Sequence, residues 1–77
     1  MRVTLKSRTG RVFEGWALNV SRGGVRIVLE DKVELGGEFE VTLSTGADPG
    51  TACMGRVVWV QEEPDGVVCG IELEAPR

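Results

Sequence analysis

The chain has 77 residues, 42% of them hydrophobic and 27% charged, with a formal net charge of −3 and no histidine. That length holds one small domain, residues 1–77, with a marginal core, and the balance is globular rather than disordered. The acidic excess opposes general nucleic-acid binding, which draws its affinity from lysine and arginine set against phosphates. No stretch reaches the roughly twenty apolar residues that a membrane span needs.

Alternation of Val3 and Leu5 predicts a first strand over Arg2 to Lys6, and Ser7-Arg8-Thr9-Gly10 reads as a turn. Branched and aromatic residues predict a longer second strand from Arg11 to about Val20. Ser21-Arg22-Gly23-Gly24 breaks it, and Val25, Ile27 and Leu29 mark one face of a third. Glu30 to Gly37 is a polar loop with two apolar pegs, Val33 and Leu35, in which Asp31 to Leu35 has length for a single helical turn at most. Phe39, Val41 and Leu43 point inward along a fourth strand, Glu38 to Ser44, and Thr45 to Gly50 is dense turn chemistry. The run Val57-Val58-Trp59-Val60 within Thr51 to Gln61 predicts a fifth strand buried on both sides for part of its length. A Pro64-Asp65-Gly66 turn then leads to a sixth strand, whose inner face is Val67, Cys69, Ile71 and Leu73. Glu74 to Arg77 reads as a frayed end.

Short strands at regular spacing with little or no helix predict an all-β fold. A closed antiparallel barrel is favoured over a sandwich, because closure removes the costly open edges. If Glu62 faces Val67 across the Pro64-Asp65-Gly66 turn, Cys69 faces Val60 and Cys53 lies far along the ladder. Both cysteines therefore read as free, small core residues. Without histidine, two isolated thiols make no metal site, and no cofactor is implied. Met1 to Lys6 lacks the apolar run of a signal peptide, which makes a cytoplasmic setting the expectation. No nucleophile–base pair or phosphate-cradling loop is present, and a non-enzymatic role is expected.

The segment richest in chemistry is Gly15 to Gly24. Asn19 and Ser21, two apart on a strand, share a face, and Gly23 and Gly24 permit positive φ and close approach of a ligand to the backbone. Carboxamide, hydroxyl and bare amides are the groups that bind a base edge, with Arg22 and Arg26 at hand for a phosphate. The same residues equally form a turn that caps its own backbone, and both arginines equally suit a solvated strand end. Trp16 and Trp59 suit packing at strand positions, and also stacking on a base.

Asn19-Val20-Ser21-Arg22-Gly23-Gly24 resembles the [D/N]-x-S-x-x-G motif of PilZ domains. Leu35 to Phe39, Gly55 to Val60 and Gly70 to Leu73 resemble the family's loop-to-strand step and its last two strands, in the right order. The resemblance implies a six-stranded antiparallel PilZ-like barrel and a bacterial signalling module, as in motility regulation, that binds cyclic di-GMP. Carried over, the ligand residues are Asn19, Ser21 and Gly24, with Arg22 and Arg26 flanking. The family's RxxxR segment ahead of the first strand has no match, since only Met1 precedes Arg2, and the usual helix after the last strand is expected to be missing. Weak nucleotide binding is therefore the expectation. The alternatives are a degenerate PilZ adaptor that binds a protein partner and no nucleotide, or an unrelated OB- or SH3-like barrel.

Overall fold

The computed structural model describes residues 1–44 and 50–74. Six strands form where alternation and turn residues place them: β1 (Arg2–Lys6), β2 (Val12–Ser21), β3 (Gly24–Leu29), β4 (Glu38–Ser44), β5 (Thr51–Glu63) and β6 (Gly66–Leu73). They close into a barrel in the order β1-β2-β3-β6-β5-β4, with β4 returning to β1. All six ladders are antiparallel. The expected all-β, six-stranded antiparallel barrel is thus the fold, with no helix among the described residues.

Period-2 alternation builds the interior. Val3 and Leu5 of β1 stand opposite Leu43 and Val41 of β4, and Ile27 of β3 stands opposite Cys69 of β6. Val3, Leu5, Ile27, Val41 and Cys69 are all fully buried. Each such aliphatic chain contributes about 1.5–3 kcal/mol by leaving water, which is how a barrel this small coheres. One end is closed by Phe13 and Phe39, packed edge to face with centroids 5.8 Å apart, and by Val33 from the 30–37 loop. That loop is pinned to β5 by Gly36 N–H to Val57 O (2.8 Å) and Val57 N–H to Gly37 O (2.9 Å). Gly36 holds φ at +84°, a conformation open to glycine at little cost.

Four expectations need correction. The 31–35 segment forms no helical turn, because Val33 is drawn into the barrel end while its neighbours stay in solvent. Leu35 is not a peg; it is 69% exposed. Ser21 does not break β2 but is its last residue, leaving Arg22 and Gly23 as the turn into β3. The β5 segment is not buried on both sides, since Val58 and Trp59 face solvent. The predicted turn over 45–49 and the end over 75–77 lie outside the described residues. The β5–β6 register is as expected, with Glu62 opposite Val67 and Val60 opposite Cys69; Cys53 and Cys69 are free thiols.

Two bulges orient the outer wall. On β2, Ala17 pairs with Ile27 but Asn19 pairs with Arg26, so Leu18 is an extra residue. On β5, Val57 pairs with Ile71 but Trp59 pairs with Gly70, so Val58 is extra. An inserted residue reverses the in–out parity of everything beyond it. Strict alternation from Ala17 and Val57 would send Asn19, Ser21 and Trp59 inward; the bulges turn all three outward.

Candidate functional site

With both bulges in place, four side-chain positions fall in one cross-strand row: Asn19 on β2, Arg26 on β3, Gly70 on β6 and Trp59 on β5. The next row toward the β2–β3 turn is Ser21, Gly24, Glu72 and Arg56. All of these but Arg56 line an open depression of about 390 Å³ on the outer wall. Asn19, Ser21, Gly24 and Arg26, four of the five residues singled out in the sequence, line it. Arg22 is exposed at the turn and does not line it.

The individual geometries differ from the sequence reading in instructive ways. Asn19 is exposed, and its carboxamide has no partner among the described residues, which leaves one acceptor and two N–H donors open to solvent. Ser21 Oγ donates to Gly24 O across the turn at 3.3 Å. That bond is long and exposed, so it ties the hydroxyl only lightly.

Neither Gly23 nor Gly24 takes positive φ, contrary to expectation. A Cβ on Gly24 would lie 2.7 Å from the Ile71 carbonyl oxygen, so this glycine lets β3 approach β6. The Gly23 carbonyl, for its part, accepts Leu73 N–H at 3.0 Å. The turn is held by main-chain contacts to β6, and its glycines serve packing before they serve any ligand.

Arg26 is the basic residue that lines the depression. Its guanidinium carbon stands 5.4 Å from the centroid of the Trp59 ring, within cation–π range. No carboxylate pairs with it among the described residues. Glu72 also lines the depression, opposite Arg56 in the ladder. Trp59 is 36% exposed, so it is neither a core residue nor a free one. Trp16 is more open at 55%, and Arg2 lies over its ring at 5.8 Å, one row away. Arrayed this way, the wall offers a hydrogen-bonding edge at Asn19 and a flat cationic surface at Arg26 and Trp59.

These features agree with the comparison by family. The family model for the PilZ domain matches residues 1–77. The chain belongs to the PilZ domain family. PilZ domains are generally non-catalytic binding modules, and the family implies cyclic di-GMP as ligand. Comparison with curated proteins finds no match. No helix among the described residues is long and apolar enough to cross a membrane.

Sequence reasoning undervalued Trp59 and passed over Gly70 as a site residue. Signals for both were present. Three apolar residues in a row before Val60 break the alternation, which is how a bulge shows itself, and a glycine inside a strand pattern marks close approach.

Proposed function

We propose that residues 1–77 act as one PilZ signalling domain that takes cyclic di-GMP in the outer-wall depression, and that this chain alone binds it weakly. The observation that carries the reading is the row Asn19, Arg26, Gly70, Trp59, in which Arg26 has no carboxylate partner among the described residues. In this reading Asn19 and Ser21 meet the edge of a guanine, whose two N–H and carbonyl groups match a carboxamide and a hydroxyl. Arg26 bonds a phosphate oxygen, a role suited to its fixed fork of donors. The base lies against the Arg26–Trp59 surface. Arg22, exposed at the turn tip, adds charge from outside.

Weak binding follows from the count of guanidiniums. Within residues 1–77 Arg22 and Arg26 flank the motif, Arg56 of the next row stands opposite the Glu72 carboxylate, and no arginine pair lies ahead of β1 in these residues. Each charge-assisted hydrogen bond is worth about 1.5–3 kcal/mol, so two fewer lower affinity by roughly two to four orders of magnitude. Titration calorimetry with cyclic di-GMP is the test. We expect a dissociation constant above about 100 µM, equivalent to about −5.5 kcal/mol, and no heat from Asn19→Ala or Ser21→Ala. A constant unchanged by both substitutions, or no binding by the parent at millimolar ligand, overturns the reading.

A second reading, a protein-binding adaptor, is favoured by one observation: Leu18 and Val20, beside Asn19, are 57% and 44% exposed. It predicts no nucleotide binding at all, so the same titration separates the two.

A further inference from the structure

The row that forms the depression contains one position with no side chain. Gly70 sits between Arg26 on β3 and Trp59 on β5, facing the outer wall, and it is nonetheless buried. What covers it is the indole of Trp59. A Cβ built on Gly70 would lie 2.5 Å from Trp59 Cε2, 2.8 Å from Cδ1 and closer still to Nε1, so the pyrrole half of the ring rests directly on the glycine.

The clash atoms distinguish Gly70 from the other close-packed glycines of this wall. A Cβ on Gly24 would meet the Ile71 main-chain oxygen, and one on Gly15 would meet that of Val28. Those positions set the spacing of strands. At Gly70 all three nearest atoms belong to one side chain, which turns about its own χ angles without moving a strand.

We propose that Gly70 is a positioning residue of the nucleotide site, acting through Trp59 on Arg26; the inference rests on the nucleotide reading above. The absent side chain forms a notch in which the indole lies down across β6. Lying there, the ring keeps its exposed face in line with Asn19 and brings its π surface under the Arg26 guanidinium. The Val58 bulge aims Trp59 outward, and Gly70 decides how low the ring lies. A methyl at residue 70 lifts the ring into the depression, separates it from Arg26 and fills the volume meant for the base. Residue 70 thereby sets whether this wall presents a flat cationic surface suited to a planar purine or a raised aromatic ridge.

The test uses the full 77-residue chain, labelled with 15N, in a Trp16→Phe background so that Trp59 supplies the only indole N–H signal. Cyclic di-GMP is titrated into this protein, into Gly70→Ala, into Trp59→Phe and into the Gly70→Ala/Trp59→Phe pair. Gly70→Ala is expected to keep the β6 amide pattern, to move the Trp59 Nε1–H resonance and to weaken binding about tenfold, in the range for loss of one base–aromatic contact. In the Trp59→Phe background, where the indole that rests on the glycine is gone, Gly70→Ala is expected to change affinity less than twofold. That non-additivity is what action through another residue produces.

Equal weakening by Gly70→Ala in both backgrounds would show a main-chain effect and overturn the proposal. So would undiminished affinity with a displaced Trp59 resonance. Ligand-dependent shifts at Asn19 and Ser21 without any at Trp59 overturn the positioning role and leave the nucleotide reading standing. Absence of shifts throughout removes both.

Discussion

Gly24→Ala separates what the motif's last glycine does for the barrel from what it does for a ligand. The added Cβ starts 2.7 Å from the Ile71 carbonyl oxygen, where ordinary contact is about 3.4 Å or more. Because that oxygen belongs to the backbone of β6, relief requires the β3 and β6 strands to part by about 0.7 Å at the Gly24–Glu72 pair. Overpacking of this kind costs about 1–3 kcal/mol. Parting also stretches the bond from Leu73 N–H to Gly23 O, now 3.0 Å, and a backbone hydrogen bond is worth about 0.5–1.5 kcal/mol. The expected loss is about 2–4 kcal/mol, a large part of the roughly 4–12 kcal/mol that a domain of this length has. Tm should fall by roughly 10–30 °C.

Urea unfolding followed by circular dichroism measures the loss, with an unchanged slope showing that the unfolded state is the same. Gly23→Ala is the matched control: its Cβ meets nothing within 4 Å and its φ is not positive, so it should be neutral within about 0.5 kcal/mol. If Gly24→Ala loses less than about 0.5 kcal/mol, the close approach of β3 to β6 is not what the glycine provides, and the reasoning fails.

Arg26→Gln removes the guanidinium that stands over Trp59 and should weaken cyclic di-GMP binding by about 10- to 100-fold, read by chemical-shift titration of the 15N-labelled protein; an unchanged constant would exclude Arg26 from the site. Burial pushes the Cys69 thiol from 9.0 up to about 11. A raised thiol pKa favours the protonated folded state, so this contribution is full below pH 9.0 and is lost as pH rises through about 11, detectable as a falling urea midpoint over that window. Native protein treated with a thiol reagent at pH 8 should react first at the half-buried Cys53 and slowly at Cys69, with both reacting in urea; equal native rates would contradict the burial. Leu5→Ala should cost about 2–5 kcal/mol in urea unfolding, whereas Leu35→Ser, at a position 69% exposed, should change stability by less than about 0.5 kcal/mol.

Strand positions and the inner faces of β1, β3, β4 and β6 were legible in the amino-acid order, because alternation is a local property and the turn residues punctuate it. So was the β5–β6 register, since a two-residue turn dictates which residues face each other. Asn19, Ser21 and Arg26 could be named as candidate site residues once their types and spacing were set beside the PilZ motif they resemble. Three things were decided only in the tertiary structure, even where the sequence carried a local signal.

The first is which way Asn19, Ser21 and Trp59 point. It depends on bulges at Leu18 and Val58, where one extra residue reverses the parity of all that follow. The second is the purpose of Gly24 and Gly70, which no local conformation reveals: neither has positive φ, and each is small because something from a neighbouring strand occupies the space of its Cβ. The third is the row itself. Asn19, Arg26, Gly70 and Trp59 are scattered between positions 19 and 70 of the chain and meet only because the barrel lays β2, β3, β6 and β5 side by side. Residue order chose the chemistry of the site, and ladder register, a non-local quantity, brought that chemistry onto one wall.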